Sequence, residues 1–277
     1  MNRLQALKES GFIPTKEYKR FAEFCNVCLT ERYIGICYGP AGVGKTLSAE
    51  FYSRQPLIDT LIDNPYQRTL LRRAKFCNTV LFTASVTSTP SRIESELTSA
   101  RYRLSKVVNS VKTMPLNDLT SSGAWSFSYD NPDQTQLIIV DETDRLKESS
   151  LEHLRDIYDR NYFGMIFIGM PGLERRLKRY AQLYSRVGFA HEFKPLQVEE
   201  MIVVLTHKWR ELGLILNPAN SEDTEALSAI IRYTDGNFRL IHRLFRQMKR
   251  IMGINQLDKI TIEVVETARE MMVFGVA

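Results

Sequence analysis

Residues 39–46 read Gly-Pro-Ala-Gly-Val-Gly-Lys-Thr and match the pattern G-x-x-x-x-G-K-[S/T] in full. Glycines in such a loop let backbone N–H groups close around phosphate oxygens, and the lysine adds a compact positive charge. The Thr46 hydroxyl is suited to ligate Mg²⁺, and a following helix would direct its positive dipole end towards the phosphates. The pattern predicts a nucleotide-phosphate site formed by Gly39, Pro40, Ala41, Gly42, Val43, Gly44, Lys45, Thr46 and Leu47.

A second motif, Leu-Ile-Ile-Val-Asp141-Glu142, places two acids directly after four apolar residues. The apolar run predicts a buried strand, and ligands of open α/β sheets bind outside the carboxyl ends of the strands. Asp141 is expected to hold Mg²⁺ together with Thr46, and Glu142 to orient and deprotonate an attacking water. With Lys45 on the phosphates, the implied reaction is hydrolysis of the β–γ bond of ATP.

Strand and helix patterns alternate around these two motifs. Apolar runs predict strands at residues 33–38, 79–84, 137–140 and 165–170. Helical patterns cover residues 15–30, 46–54, 91–111, 149–159 and 173–184. This alternation indicates an α/β fold with a parallel sheet flanked by helices.

After about residue 195 the strand signals stop, and Pro195 and Gly236 mark breaks between helical patterns. Four helices are predicted there, at residues 198–212, 222–234, 237–252 and 261–272. The chain is therefore expected to have three parts: an N-terminal helical segment (1–30), an ATPase core (31–195) and an all-helical domain (196–277).

Cys25 and Cys28 form a C-x-x-C pair on the predicted helix of residues 15–30. A structural zinc site needs four ligands, and His153, His191, His207 and His242 show no matching spacing. We therefore favour buried thiols over metal or redox chemistry.

The chain carries a net charge of +5 and a pI of about 9.0, which permits nucleic-acid binding but equally fits a solvated surface. It has no run of about 18 apolar residues, so no transmembrane helix and no membrane partner are expected. Its N-terminus, MNRLQALKES, lacks the apolar segment of a signal peptide, which favours a cytoplasmic location.

These motifs, together with the phrase Asp141-Glu-Thr-Asp144-Arg145-Leu, resemble the AAA+ ATPases that regulate DNA transposition. That family includes the MuB-like, TniB-like and TnsC-like target-selection proteins, and ExeA-like secretion ATPases are similar to a lesser degree. The resemblance covers the N-terminal helix, the P-loop core, a Gly-Met-Pro-Gly-Leu-Glu segment after the fourth strand, and a helical lid. It implies an AAA+ P-loop NTPase core, with a parallel sheet flanked by helices, and a C-terminal all-helical lid.

The resemblance also assigns roles to two arginines. Arg186 matches the arginine finger, which reaches the γ-phosphate bound by a neighbouring subunit, although Arg175, Arg176 and Arg179 are alternatives. Arg239 matches the sensor-two position of the lid. A plain surface charge is the alternative for either residue. Met170 departs from the family, because a hydrogen-bonding side chain usually stands there, and slow hydrolysis is therefore expected.

Members of the family assemble as rings or helical filaments around duplex DNA and contact its backbone. The matching residues here are Thr87, Thr89, Arg92, Arg101 and Arg103, whose hydroxyl and guanidinium groups suit phosphates. A capped helix with solvated polar groups is the alternative. Trp125 is expected to pack on the core. The cations of residues 237–252 are interpreted as spread around that helix, which indicates a solvated surface.

The sequence thus predicts an oligomeric, Mg²⁺-dependent ATPase that binds duplex DNA when loaded with ATP. By resemblance, its partners are a target-recognition protein and a transposase, which it recruits to the marked target, and hydrolysis would release it. Three alternatives stay open: a helicase loader, a secretion-type ATPase, and a nucleotide-gated scaffold with little hydrolysis.

Overall fold

The computed structural model describes residues 12–64, 70, 73–113 and 131–272, and it divides the chain into two compact units. Within this range, the sheet unit comprises Phe12, Tyr18–Gly39 and Lys45–Glu192. The helical unit comprises Ile13–Glu17, Pro40–Gly44 and residues 193–272. The loop Pro40–Gly44 therefore packs with the C-terminal helices, although both of its flanks belong to the sheet unit.

The sheet unit is built on five parallel strands in the order β2-β3-β4-β1-β5. The strands are β1 (Ile34–Tyr38), β2 (Thr79–Thr83), β3 (Leu137–Asp141), β4 (Gly164–Gly169) and β5 (Val187–Glu192). Strands β3 and β4 are buried along their whole length, because helices cover both faces of a parallel sheet. The predicted α/β fold and the four predicted strands are confirmed.

The edge strand β5 was not predicted from the sequence. Its residues, Val-Gly-Phe-Ala-His-Glu, are half-buried or exposed, so they lack the apolar run that marks the other strands. The strand pairs with β1, and Gly188 fits there because a Cβ atom would lie 2.6 Å from the ring of Tyr33. Partial exposure at a sheet edge explains why hydrophobic pattern alone missed this element.

Before residue 193, seven α-helices have described bounds, and a short 3-10 helix spans Thr143–Arg145. The α-helices are α1 (Lys16–Glu31), α2 (Lys45–Ser53), α3 (Gln55–Asp63), α4 (Pro90–Thr113), α5 (Glu148–Arg160), α6 (Leu173–Leu177) and α7 (Ala181–Tyr184). Helix α3 was not predicted. The single helix predicted at residues 173–184 is wrong, since the structure has two short helices there.

All four cysteines are buried, and none of them is in a disulfide. Burial raises the pKa of Cys28 to about 12 and that of Cys25 well above its ordinary value. Thiols held protonated are poor nucleophiles and poor metal ligands. The interpretation of Cys25 and Cys28 as buried thiols is confirmed.

The helical unit contains α8 (Val198–Glu211), α9 (Ser221–Thr234), α10 (Phe238–Asn255) and α11 (Ile262–Glu270). The four predicted helices are confirmed, with small shifts at their ends. Their apolar faces meet around Trp209, whose ring contacts Phe245 edge-on at 5.4 Å between ring centroids. Gly236 joins α9 to α10 in a left-handed conformation, φ 71°, and a Cβ there would lie 2.3 Å from the carbonyl oxygen of Leu196.

Within the described ranges, no helix combines the length and the apolar character needed to cross a bilayer. Trp125 lies outside the described residues.

Two glycine-to-alanine substitutions should have opposite effects on stability. Gly164→Ala would place a methyl group 2.2 Å from the backbone carbonyl oxygen of Cys28, so we expect the free energy of unfolding to fall by about 2 kcal/mol or more. Gly253 lies exposed in α10 with nothing within 4 Å of a Cβ position, so Gly253→Ala should raise it by about 0.5–1 kcal/mol. Urea unfolding curves measure both changes, and a Gly164→Ala protein as stable as wild type would contradict the packing at β4.

Candidate nucleotide-binding site

The phosphate-binding loop connects β1 to α2. Strand β1 ends at Tyr38, and the Gly39 amide donates a hydrogen bond to the carbonyl oxygen of Gly169, at the end of β4, over 3.3 Å. Gly42 and Gly44 have left-handed backbones, with φ of 83° and 111°. Only glycine adopts these conformations at little cost, so the pattern seen in the sequence reflects a backbone requirement.

Lys45 opens α2 and is nearly buried, with 9% of its surface exposed. Its Nζ donates to the carbonyl oxygen of Gly39 over 2.6 Å, which directs the ammonium group back along the loop. Burial lowers the pKa of Lys45, and the nearby carboxylates of Asp141, Glu142 and Asp144 oppose this effect. A buried ammonium group in this position is suited to contact phosphate oxygens.

Thr46 and Asp141 are brought together by the sheet unit. The Thr46 hydroxyl donates to Oδ2 of Asp141 over 2.7 Å, and the Glu142 amide donates to Oδ1 over 2.8 Å. Asp141 ends β3 and is 2% exposed, and burial raises its pKa while the Thr46 hydrogen bond opposes the rise. A hydroxyl and a carboxylate are the hard oxygen ligands that Mg²⁺ prefers, so this pair fits the predicted metal site.

The chain turns away from the direction of β3 at Glu142, which follows Asp141. Its backbone is left-handed, with φ 55°, and its side chain is 39% exposed. Nη2 of Arg145 lies 3.5 Å from Oε2 of Glu142, and Nη1 of Arg145 donates to the carbonyl oxygen of Ala84 over 3.2 Å. Arg145 therefore holds the Glu142 carboxylate beside the carboxyl end of β2.

The turn after Glu142 is fixed by two further side chains. Oδ2 of Asp144 accepts a hydrogen bond from the Met170 amide over 2.6 Å, and a Cβ at Gly169 would lie 2.3 Å from that oxygen. Arg176 donates to the carbonyl oxygens of Asp144, over 2.9 Å, and Leu146. Because its guanidinium binds the carbonyl oxygens of this turn, Arg176 holds the turn after β3 in place.

Asp144 and Arg145 belong to the Asp-Glu-Thr-Asp-Arg phrase, but the sequence pattern predicted no role for either residue. Their signal was present in the Asp-Glu-Thr-Asp-Arg phrase, where charged residues follow a buried strand. Met170, predicted to lack a polar side-chain contact, is 40% exposed, and its link to the site is the backbone amide bound by Asp144.

Arg186 precedes β5 and is engaged within its own chain. Its Nε lies 2.5 Å from Oδ1 of Asp159, and its Nη2 lies 2.8 Å from Oδ2. The hydrogen bond from Arg186 lowers the pKa of Asp159, so this carboxylate stays ionised at neutral pH. The alternatives Arg175 and Arg179 are exposed.

Within the helical unit, the loop Pro40–Gly44 contacts the start of α10. Nδ2 of Asn237 donates to the carbonyl oxygen of Ala41 over 2.8 Å, and the Arg239 amide donates to that of Gly42 over 3.1 Å. Oδ1 of Asn237 also caps α10 by accepting from the Arg239 and Leu240 amides. Sequence reasoning missed Asn237, although an Asn after a glycine is a typical helix N-cap. The Arg239 side chain is exposed.

The five residues predicted to contact DNA do not share one surface. Thr89 precedes α4 and its hydroxyl accepts from the Arg92 amide, while Nη1 of Arg92 donates to the Thr87 hydroxyl over 3.2 Å. Arg101 lies nine residues beyond Arg92, about two and a half turns, and so faces the opposite side of α4.

All three arginines of this set have acidic partners inside the chain, and that of Arg92 is Glu96, 2.6 Å away. Arg101 binds Asp133 over 2.5 Å, also donates to Asn161, and lies over the Phe163 ring. Nη1 of Arg103 lies 3.5 Å from Asp59. Hydrogen bonds link Thr87, Thr89 and Arg92 into a cluster that does not include Arg101.

A parallel sheet with a glycine-rich loop after one strand and an acidic pair after another defines a P-loop nucleotide-binding protein. The AAA domain family matches residues 29–177, just over half of the chain. A Staphylococcus aureus protein described as a potential ATP-binding protein is 46% identical over 275 residues, which cover 97% of this chain and 99% of the relative. The chain belongs to the AAA domain family.

Solved structures share its AAA+ fold at low sequence identity. The Thermotoga maritima RuvB Holliday junction branch migration motor superimposes with a TM-score of 0.57 at 16% identity, over 94% of this chain and 70% of RuvB. The Aeropyrum pernix ORC1 protein in complex with DNA superimposes with a TM-score of 0.54 at 17% identity, over 92% of this chain and 64% of ORC1. The ORC2 protein of the same organism, in ADPNP and ADP complexes, superimposes with a TM-score of 0.53 at 13% identity, over 93% of this chain and 67% of ORC2.

The contact between Asn237 and the loop predicts an effect on nucleotide affinity. Asn237→Ser keeps a good N-cap but is too short to reach the Ala41 carbonyl, so we expect ATP affinity to fall by about 2- to 10-fold. Asn220 caps α9 in the same way without touching the loop. Asn220→Ala should therefore lower stability and leave ATP affinity unchanged. Titration with a fluorescent ATP analogue measures the ATP affinity of both variants. Wild-type affinity in Asn237→Ser would refute the role of Asn237.

Proposed function

We propose that this protein hydrolyses ATP and, in its ATP-bound state, assembles on duplex DNA to mark a target for a transposase. The observation that supports the ATPase part is the cluster of Thr46, Asp141 and Glu142 at the carboxyl edge of the sheet. Residues 39–47 bind the phosphates, with Lys45 supplying positive charge. Thr46 and Asp141 hold Mg²⁺, which offsets the charge of the phosphates.

Glu142 acts as the general base in this proposal. Its side chain is partly exposed, so water has access to it, and Arg145 fixes its direction. A carboxylate oriented in this way accepts a proton from the water that attacks the γ-phosphate. Met170 offers no hydrogen bond to that phosphate or water, so turnover is slow.

Arg186 acts in trans, and Arg239 responds to the bound phosphate from the helical unit. The bidentate pair with Asp159 holds Arg186 inside its own chain, and a γ-phosphate on a neighbouring subunit is a stronger acceptor for the same guanidinium. When subunits assemble into a ring or filament, Arg186 leaves Asp159 and binds the γ-phosphate of the neighbouring subunit. Hydrolysis therefore depends on the homo-oligomer.

DNA binding is assigned to the cluster of Thr87, Thr89 and Arg92. These residues are exposed, and hydroxyl and guanidinium groups bind phosphates without reading bases. Two proteins that share the fold support this assignment. RuvB is a Holliday junction branch migration motor, and ORC1 was solved in complex with DNA. The transposase and the target-recognition protein rest on the resemblance of the motifs to transposition regulators.

A nucleotide-gated scaffold is the second candidate, because Met170 occupies a position where hydrolysis benefits from a polar side chain. Such a scaffold would release less than one phosphate per subunit, whereas an ATPase shows multiple turnovers. Release of inorganic phosphate over several hours distinguishes the two.

The DNA-binding part predicts nucleotide-dependent binding to a duplex of mixed sequence. We expect wild-type protein to bind a labelled duplex with a non-hydrolysable ATP analogue and to bind weakly in ADP. Glu142→Gln should bind ATP, hydrolyse it about 100-fold more slowly or worse, and stay on the duplex in ATP. Fluorescence anisotropy measures binding, and rapid release of Glu142→Gln in ATP would count against Glu142 as the base.

The trans role of Arg186 predicts complementation between two inactive variants. Glu142→Gln binds ATP and carries Arg186, whereas Arg186→Ala has an intact site but no finger, so each alone should lose at least about 90% of the activity. An equal mixture should recover to roughly a quarter of the wild-type rate, because one interface in four pairs an intact site with an intact finger. Arg175→Ala and Arg179→Ala serve as controls. An inactive mixture would indicate that Arg186 does not act between subunits.

A further inference from the structure

Helix α10 differs in charge from the other long helices of the protein. Its 18 residues, FRLIHRLFRQMKRIMGIN, include five lysines and arginines and no acidic residue. The lysines and arginines are Arg239, Arg243, Arg246, Lys249 and Arg250. Elsewhere, long helices carry acids among their cations, as in α5 and α8.

The five cations lie on one side of α10. At 3.6 residues per turn they span about 120° of the helix circumference, and all five are exposed. The opposite side is buried and apolar, with Ile241, Leu244, Phe245, Met248, Ile251 and Met252. The interpretation that these cations are spread around the helix is therefore wrong. We call Arg243, Arg246, Lys249 and Arg250 the basic stripe.

Within the described part of the chain, no residue of the basic stripe forms an ion pair, whereas several surface cations elsewhere do. Lys178 pairs with Glu174, Lys208 with Glu211, and Lys259 with Glu222. The stripe borders a groove whose other wall is formed by Met271 and Met272, after α11. Four adjacent cations without counter-charges produce a local positive potential that favours an anionic partner.

We propose that the basic stripe binds the phosphate backbone of duplex DNA, as a second contact beyond the cluster at Thr87, Thr89 and Arg92. The proposal rests on the proposed function, because it assumes that the protein binds duplex DNA. It assigns the helical unit a direct part in holding the DNA.

The chemistry of the stripe favours a nucleic acid over an acidic protein. From Arg243 to Arg250 the stripe is about 10 Å long, the axial length of about three base pairs. Every exposed position in this interval is a cation, three of the four are arginines, and none is aromatic. Arginine is common at protein interfaces too, but these are anchored by aromatic residues and depleted of lysine, whereas phosphate groups are bound by arginine and lysine alike.

A charge-matched pair of variants tests the proposal. The stripe variant carries Arg243→Gln, Arg246→Gln, Lys249→Gln and Arg250→Gln. Glutamine preserves the helix, and Arg239 is left intact because of its proposed nucleotide role. The control variant carries Lys19→Gln, Lys75→Gln, Lys178→Gln and Lys259→Gln, four exposed cations elsewhere on the surface. Both variants lose four positive charges, so any difference between them reflects position rather than net charge.

Anisotropy of a labelled mixed-sequence duplex is measured with wild type and both variants in the ATP analogue, at several salt concentrations. We expect the stripe variant to bind about tenfold more weakly or worse, and the slope of log affinity against log salt to decrease by about 3 to 4. The control variant should stay within about twofold of wild type. Circular dichroism and titration with a fluorescent ATP analogue verify that the stripe variant is folded and binds nucleotide.

The outcomes separate the two proposals. If wild type binds the duplex and the stripe variant binds as the control does, the stripe is not a DNA contact and the proposed function stands. If wild type binds no duplex in either nucleotide state, the proposed function fails and the stripe proposal fails with it. Binding of polyglutamate that requires the stripe, without duplex binding, would identify an acidic protein as the partner instead.

Discussion

The buried charges at the carboxyl edge of the sheet constrain the rest of the structure. Lys45 and Asp141 are almost fully removed from water, which is costly for an ionised group unless partners surround it. The structure provides the Gly39 carbonyl for the lysine, and the Thr46 hydroxyl and Glu142 amide for the aspartate. The parallel arrangement of β1 and β3, with β4 between them, brings these groups together at one edge of the sheet.

The turn that follows β3 fixes the position of the Glu142 carboxylate. Arg145 holds Glu142 and binds the carboxyl end of β2, Arg176 binds the carbonyls of the turn, and Asp144 binds the amide of Met170. Four strands of the sheet thus contribute their carboxyl ends to the site. The position of Glu142 thus depends on this network and not on the side chain of Met170.

Helix α10 connects two properties of the helical unit. Its N-terminus contacts the backbone of the loop Pro40–Gly44 through Asn237 and the Arg239 amide, and its exposed side continues as the basic stripe. If the proposed DNA contact holds, the same helix touches the nucleotide loop at one end and DNA along its exposed side, which gives a physical route by which the two ligands influence each other. Such coupling is reciprocal, because a ligand that favours one state of the helix favours every other ligand of that state.

The sequence by itself determined the nucleotide loop, the acidic pair, four of the five strands and all four C-terminal helices, because each depends on local pattern: glycine spacing, apolar runs or helical periodicity. Tertiary structure decided the rest. The edge strand β5 forms by pairing with β1 and has no apolar run of its own, and Asn237 meets Ala41 across 196 residues of chain. The partners of Arg176, Arg186 and Arg101 are likewise set by folding, since a long cationic side chain binds whichever carbonyl or carboxylate the fold brings within reach.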